Sequence, residues 1–320
     1  MILIISDKND IHTLKVEKYL KQNNTNFVKL NLDVESLKNT EVFFNGINWT
    51  IKNSNYEFNT KDIKTIWNRR TYVELLLEEN DISDVNFKIW KGEWNKTLLG
   101  IYAHLEECKW LNFYRDAYYA ENKYRQQIIA KKVGLKYPEF ICSNIKESIL
   151  NFYIDDNEKV IKFLNQDFYK MKNNEYAGIF VNKIKEEDFS DFKDTNENPV
   201  IIQNYIEKRY EVRYTVIGNE HFICKIDSQL SKIANIDWRR YDLANTPHSI
   251  IKEAPKQITD SVNRFLKEFN LNYGAIDFII DNQDNWHFLE INSMGQFLWI
   301  EDLTGLKISE SIAKWLINNN

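Results

Sequence analysis

The sequence predicts a mixed α/β (α+β) protein of two or three domains. Short apolar runs that read as strands alternate with segments of helical period from end to end. Hydrophobic residues make up 43% of the chain, and its 320 residues exceed the ~250 beyond which single cores tend to split. Forty-two basic against forty-seven acidic residues leave a net charge of −5, so no global positive field exists to hold a nucleic-acid backbone. The apolar opening Met1 to Ile5 meets Ser6, Asp7, Lys8 and Asp10 at once, and no later apolar run nears the ~20 residues that span a bilayer. A cytoplasmic protein without membrane attachment is expected. Cys108, Cys142 and Cys224 are far apart and in no CxxC spacing, and read as reduced core thiols.

Residues 1–115 open as β-α-β: strand Ile2 to Ile5, a helix with Ile11, Leu14, Tyr19 and Leu20 near one face, and strand Phe27 to Leu32. No GxGxxG or GxxxxGK[ST] occurs anywhere in the chain, so Rossmann and P-loop readings lose their key residues. A hairpin is expected from Glu41 to Phe44 and Trp49 to Ile51 around Asn45-Gly46, before Trp67-Asn-Arg-Arg70. Residues 116–200 read as a small α+β module. Its helix runs from Ala120 to Val133, with Tyr124, Ile128 and Ile129 on one stripe and Gly134 ending it. Strand Glu139 to Cys142, a helix near Lys146 to Tyr153 and strand Val160 to Phe163 follow, and the polar stretch 173–198 is expected to contain a solvated loop ending at Pro199. With a boundary near 200, residues 201–320 form a third unit. Strands are expected at Val200 to Gln203, Val212 to Ile217, Phe222 to Lys225, Ala275 to Ile280 and Trp286 to Ile291, with helices around Lys256 to Phe269 and Ile308 to Ile317.

The sharpest chemistry lies in the last strand pair. A symmetric antiparallel register about the turn Asp281 to Asn285 places Asp277 opposite Glu290, with Ala275, Ile279, Phe288 and Asn292 on the same face and Ile276, Phe278, Ile280, Leu289 and Ile291 on the other. Facing carboxylates repel, and burial adds several kcal/mol unless a cation or basic group compensates. Asp, Glu and the Asn carbonyl are all oxygen ligands suited to Mg²⁺. A surface hairpin with solvated acids is the competing reading; the paired register and Asn292 favour a metal.

Lys123 near a helix start and Lys162 at the end of a Val-Ile-Lys strand could together grip a polyphosphate, although each alone reads as a solvated lysine. Glu211 and Arg213 share one strand face, with Val212 and Tyr214 on the other. Either they form an exposed salt-bridge strip, or they are a ribose acceptor beside a cation that stabilises phosphoryl charge.

In this order, over roughly residues 112–292, these motifs resemble the ATP-grasp superfamily, whose fold holds ATP between two α+β subdomains. The resemblance implies that Lys123 and Lys162 are the two ATP lysines, Gln203-Asn-Tyr205-Ile206 the adenine hinge, Glu211 the ribose acid, Arg213 the catalytic arginine, and Asp277, Glu290 and Asn292 the metal set. Asn204 stands where the common hinge has a glutamate, so backbone adenine contacts carry over better than side-chain ones. Nearly end to end, the chain is similar to the graspetide (microviridin-type) peptide ligases. The carriers are Met1 to Ser6 with Asp10, Trp67-Asn-Arg69-Arg70, Asn112 ahead of Asn122-Lys123, Lys225 to Gln229, Asp237-Trp-Arg239, and Glu290 to Gln296 with Trp299 and Glu301.

That likeness implies an N-terminal pre-ATP-grasp domain at 1–115, a central ATP-grasp subdomain at 116–200 and a C-terminal one at 201–320, with ATP and Mg²⁺ as cofactors. It also implies a homodimer and a ribosomally made precursor peptide as partner. Asp or Glu side chains of the peptide would be activated as acyl phosphates and joined to Ser/Thr hydroxyls, or to lysine amines. Arg69, Arg70 and Arg239, with Asp237, are candidates for binding the peptide, because guanidinium forks match carboxylates; each arginine could equally make a structural salt bridge. None of the five histidines stands in a recognisable catalytic spacing. An ATP-grasp amino-acid ligase is the nearest alternative, and a non-catalytic ATP-binding module a further one.

Overall fold

The computed structural model describes the chain except residues 155–156, 165–167, 172–174, 194–196 and 241. Near the N-terminus, Phe27–Asn31, Ile2–Ser6, Thr65–Asn68 and Lys109–Leu111 form a parallel sheet in that spatial order. Its opening strand is buried throughout, as expected of a strand covered on both faces. A three-stranded antiparallel sheet of Glu41–Phe44, Trp49–Lys52 and Glu57–Asn59 stands beside it. Gly46 has φ 89° in the first hairpin, but the connection spans four residues, closed by Asn45 N–H donating to the Asn48 carbonyl.

A second unit is an antiparallel sheet of Asn182–Ile184, Lys159–Lys162, Val200–Asn204 and Phe140–Ser143. Val200–Asn204, expected among the strands of the C-terminal unit, therefore pairs with the central strands. The polar stretch 173–198 holds the short strands Tyr176–Gly178 and Asn182–Ile184, and its residues 173–174 and 194–196 lie outside the described part.

The largest sheet is fully antiparallel, in the order His248–Ile251, Glu220–Ile226, Lys208–Ile217, Tyr273–Asp281, Trp286–Asn292. One face, carrying Val212, Tyr214, Ile276, Phe278 and Phe288, packs on the helices Lys123–Val133 and Lys256–Glu268. The other face begins with Ile217, Tyr273 and Ala275. These meet the helices Ile11–Gln22 and Ile308–Asn318 and one face of the N-terminal sheet, carrying Ile2, Ile4, Trp67 and Leu111, in one continuous core. Further along that face the apolar residues give way to charged ones.

Several expectations need correction. In Ile11–Gln22 the buried stripe is His12, Val16 and Leu20, while Ile11 and Leu14 are exposed. The expected helix from Ala120 to Val133 is two helices, Tyr114–Ala120 and Lys123–Val133. Asn122 caps the second by accepting from Arg125 N–H, and the buried stripe is Gln126, Ile129, Ala130 and Val133, with Tyr124 and Ile128 exposed. The 19-residue helix Val85–Ala103 was not anticipated. Of the cysteines only Cys224 is fully buried.

Asn112 joins the N-terminal part to the large sheet. Its buried carboxamide donates to the carbonyls of Tyr273 and Ser293 and accepts from the N–H groups of Asn272 and Tyr273, each at 2.8 Å. It thus extends the pairing that a neighbouring strand would supply. Asn112→Ala would orphan four buried backbone groups at once and is expected to cost about 2–4 kcal/mol. Thermal unfolding checks this, and an unchanged melting temperature would contradict the role.

Candidate active site

The last hairpin places Asp277 opposite Glu290, as its symmetry predicts, but a bulge at Leu289 breaks the register immediately beyond. Phe278 pairs with Phe288 and Ile280 with Trp286. The assignment of faces is thereby corrected: Phe288 lies in the core, and Leu289 lines the cleft beside Glu290. A bulge re-aims side chains by admitting one extra residue. Here it keeps Phe288 in the apolar layer while the carboxylate faces outward.

Arg213 pairs with Asp277 on the next strand, so Arg213, Asp277 and Glu290 form a row across three adjacent strands. The guanidinium reaches both Asp277 oxygens, at 2.9 and 2.8 Å, and donates to the Gln296 carbonyl. Lys123, at the first position of its helix, and Lys162, at the end of its strand, converge on Glu290 Oε2 at 2.9 and 2.8 Å. Without ligand, basic side chains thus supply the compensation that two buried acids require. Burial alone would raise the Glu290 carboxyl; the two ammonium groups and the Arg239 guanidinium outweigh it and hold it well below the usual carboxylate range. Burial pushes Asp277 upward against the pull of Arg213, and the Glu290 charge adds to the rise.

Lys123, Arg213, Asp277, Glu290 and Asn292 line one open cavity of about 600 Å³. A narrower slot adjoins it between the central and large sheets, and Lys162, Gln203, Tyr205, Ile206 and Glu211 line it together with Asp277 and Glu290. Glu211 is bound to Lys208 at 2.7 Å, yet among the described residues its buried Oε2 has no hydrogen-bond partner. At the hinge, Tyr205 N–H is taken by the Glu158 carbonyl, whereas Ile206 N–H makes no hydrogen bond among the described residues.

The two carboxylates and the Asn292 carboxamide, all oxygen donors facing one cavity, fit a hard divalent cation. Among the described residues no cluster of three His, Cys, Asp or Glu suits a metal; this set reaches three only through the amide. Arg239 lines both spaces and Asp237 the slot, and the two hold each other at 2.6 Å. Arg69 and Arg70 stand apart in a smaller pocket of about 260 Å³. Arg69 is buried and bound to Asp10 and to the Met294 and Gly295 carbonyls, so it ties the N-terminal sheet to the loop after Asn292. Arg70 is half-exposed beside Asp7 and Glu74. Glu121, which the sequence reading passed over, also lines the large cavity.

Two sheets that close on a slot with lysines from separate elements, and no phosphate-binding glycine loop, define the ATP-grasp class. No protein-family model and no curated protein matches the sequence, but solved structures do. The chain superposes on a RiPP-associated ATP-grasp ligase of Chryseobacterium gregarium, in complex with ADP and a leader and core peptide, with TM-score 0.86 and 29% identity over 100% of this chain and 97% of that one. The macrocyclase MdnC of Microcystis aeruginosa, bound with precursor peptide MdnA, matches with TM-score 0.87 and 25% identity over the full length of both. The macrocyclase MdnB of the same organism shares the fold, with TM-score 0.77 at 21% identity over 99% of this chain and 98% of that one. The chain thus has the ATP-grasp fold and is similar over its full length to these precursor-bound ligases. No helix among the described residues is long and apolar enough to cross a membrane.

If Lys123 and Lys162 compensate Glu290, the double variant Lys123→Met/Lys162→Met leaves a buried charge unpaired and should lose about 2–4 kcal/mol. Adding Glu290→Gln should recover most of that loss. Thermal unfolding of the three proteins decides, and no recovery would show that the acid is not the source of the strain.

Proposed function

We propose that this enzyme is an ATP-dependent macrocyclase. It activates Asp or Glu side chains of a ribosomally made precursor peptide as acyl phosphates and closes them onto Ser or Thr hydroxyls as ω-esters, or onto lysine as ω-amides. The observation that carries this reading is the convergence of Lys123 and Lys162 on Glu290, across from the Arg213–Asp277 pair, in a cavity that adjoins the slot lined by Glu211 and the hinge residues. The likeness to the Chryseobacterium ligase and to MdnC, each solved with its peptide, supports the peptide as substrate. The homodimer implied by the family and a cytoplasmic location belong to the same reading.

The free oxygen of Glu211 would accept from a ribose hydroxyl, and the Ile206 N–H would donate to the adenine edge. Lys123 and Lys162 would exchange the Glu290 carboxylate for phosphate oxygens, a move between partners that needs little displacement. When bound to Asp277, Glu290 and Asn292, Mg²⁺ would neutralise phosphate charge and orient in-line transfer. Arg213, already directed into the cavity, would bind the carboxylate under attack and the oxyanion that develops on it. Arg239 and Arg70, and the pocket that Arg69 helps to form, would receive acidic residues of the peptide, with Asp237 fixing the Arg239 fork. A free carboxylate is a poor electrophile, and phosphorylation makes it a good one.

Given ATP, Mg²⁺ and its cognate precursor, the protein should lower the peptide mass by one water per ring, because an acceptor held beside the activated carboxyl replaces a bimolecular encounter, with an effective molarity of order 10⁵ M or more. An amino-acid ligase would raise the mass, so one spectrum separates the readings. Mild alkali should reopen ester rings and leave amide rings closed. Asp277→Asn and Glu290→Gln should each abolish ring formation at saturating Mg²⁺ while the protein stays folded by circular dichroism. Near-normal product from both would overturn the metal assignment.

A further inference from the structure

The reaction proposed above needs an acceptor for one proton. A Ser or Thr hydroxyl that attacks an acyl phosphate loses its proton as its oxygen bonds to carbon, and the carboxylates of the metal row are committed elsewhere. Arg213 spans Asp277, Arg239 holds Asp237, and Glu290, held by two lysines in the empty cleft, would pass to Mg²⁺ once those lysines turn to phosphate. No histidine is among the described residues that line the cavity.

Glu121 is differently placed. It occupies the break between the helices Tyr114–Ala120 and Lys123–Val133. Its Oε1 accepts from the Ser293 N–H at 2.8 Å and from the Ser293 hydroxyl at 2.6 Å, which fixes the carboxylate. Among the described residues its Oε2 makes no hydrogen bond and Glu121 makes no ion pair. Its side chain lines both the cavity of Asp277 and Glu290 and the smaller pocket of Arg69 and Arg70, a position that among the described residues only Met294 shares. A peptide whose acidic residues enter the arginine pocket would carry its neighbouring hydroxyl past Glu121 on the way to the activated carboxyl.

We infer that Glu121 is the general base of ring closure, an inference that rests on the ligase reading. Oε2 takes the hydroxyl proton while the hydroxyl oxygen bonds to the acyl carbon. The bond from that carbon to the phosphate oxygen then breaks, inorganic phosphate leaves with the bonding electrons, and the proton passes from Glu121 to solvent through the open cavity. Ser293 keeps the carboxylate aimed through Oε1, so Oε2 is free for the transfer.

The test uses Glu121→Gln, whose amide oxygen still accepts from Ser293, with the full-length protein, ATP, Mg²⁺ and the precursor peptide. Hydroxylamine, a nucleophile that needs no base, traps acyl phosphate as the hydroxamate. The variant should still form peptide hydroxamate and ADP, yet close rings about 10²–10⁴-fold more slowly, the usual contribution of a positioned base. Ring closure at the wild-type rate would overturn the inference. So would loss of hydroxamate and rings together in a variant that melts like wild type, since Glu121 would then serve activation or binding. Wild-type protein that gives neither hydroxamate nor rings would sink the ligase reading itself, a result distinct from any failure confined to the variant.

Discussion

The structure is organised around the compensation of two carboxylates that share a buried strand face. Asp277 and Glu290 are each less than a tenth exposed, and two such acids side by side cost more than most single interactions in a protein contribute. Their partners come from three other elements: Arg213 from the neighbouring strand, Lys123 from a helix start, and Lys162 from the central sheet. The acids therefore do more than prepare chemistry. They hold the central sheet against the large one, because Lys162 has its counter-charge on the far side of the cleft. In the proposed reading Lys123 and Lys162 would also attract the phosphates of a nucleotide, so the contact that closes the empty cleft is the one a ligand would replace.

Much of this was legible in the sequence because local patterns carried it. The symmetry of the strands about Asp281 to Asn285 suffices to oppose the two acids, and the spacing of two puts Glu211 and Arg213 on one face. What escaped was set by tertiary context. Nothing local marks Leu289 as a bulge, yet that one residue moves Phe288 from the cleft to the core. Ile11, Leu14, Tyr124 and Ile128 look like buried stripes and are exposed, since the neighbouring sheets select the faces of His12 and Gln126 instead. The helix Val85–Ala103 has apolar residues spread around much of its circumference and so gave no clean period.

The arginines show a further limit of sequence reading. Arg69 and Arg70 are adjacent and looked alike, but one is sealed into a bond network with Asp10 and backbone carbonyls while the other is half-exposed beside Asp7 and Glu74. Glu121 was invisible for the opposite reason. Its placement depends on the Ser293 backbone, 172 residues away, and no spacing rule reaches that far.

The carboxamide of Asn112 bears on how such enzymes can change. A side chain that occupies four backbone positions of another unit works as a mortise, and its fit depends on Asn272, Tyr273 and Ser293 rather than on the surface chemistry of either part. A recombination that imported a foreign N-terminal segment would keep the joint only if that segment ended in an asparagine presented at the same height. Exchange of that part between relatives, in nature or in the laboratory, is therefore constrained at one residue more than over the whole contact area, and a cut before Asn112 keeps that residue with the backbone it binds.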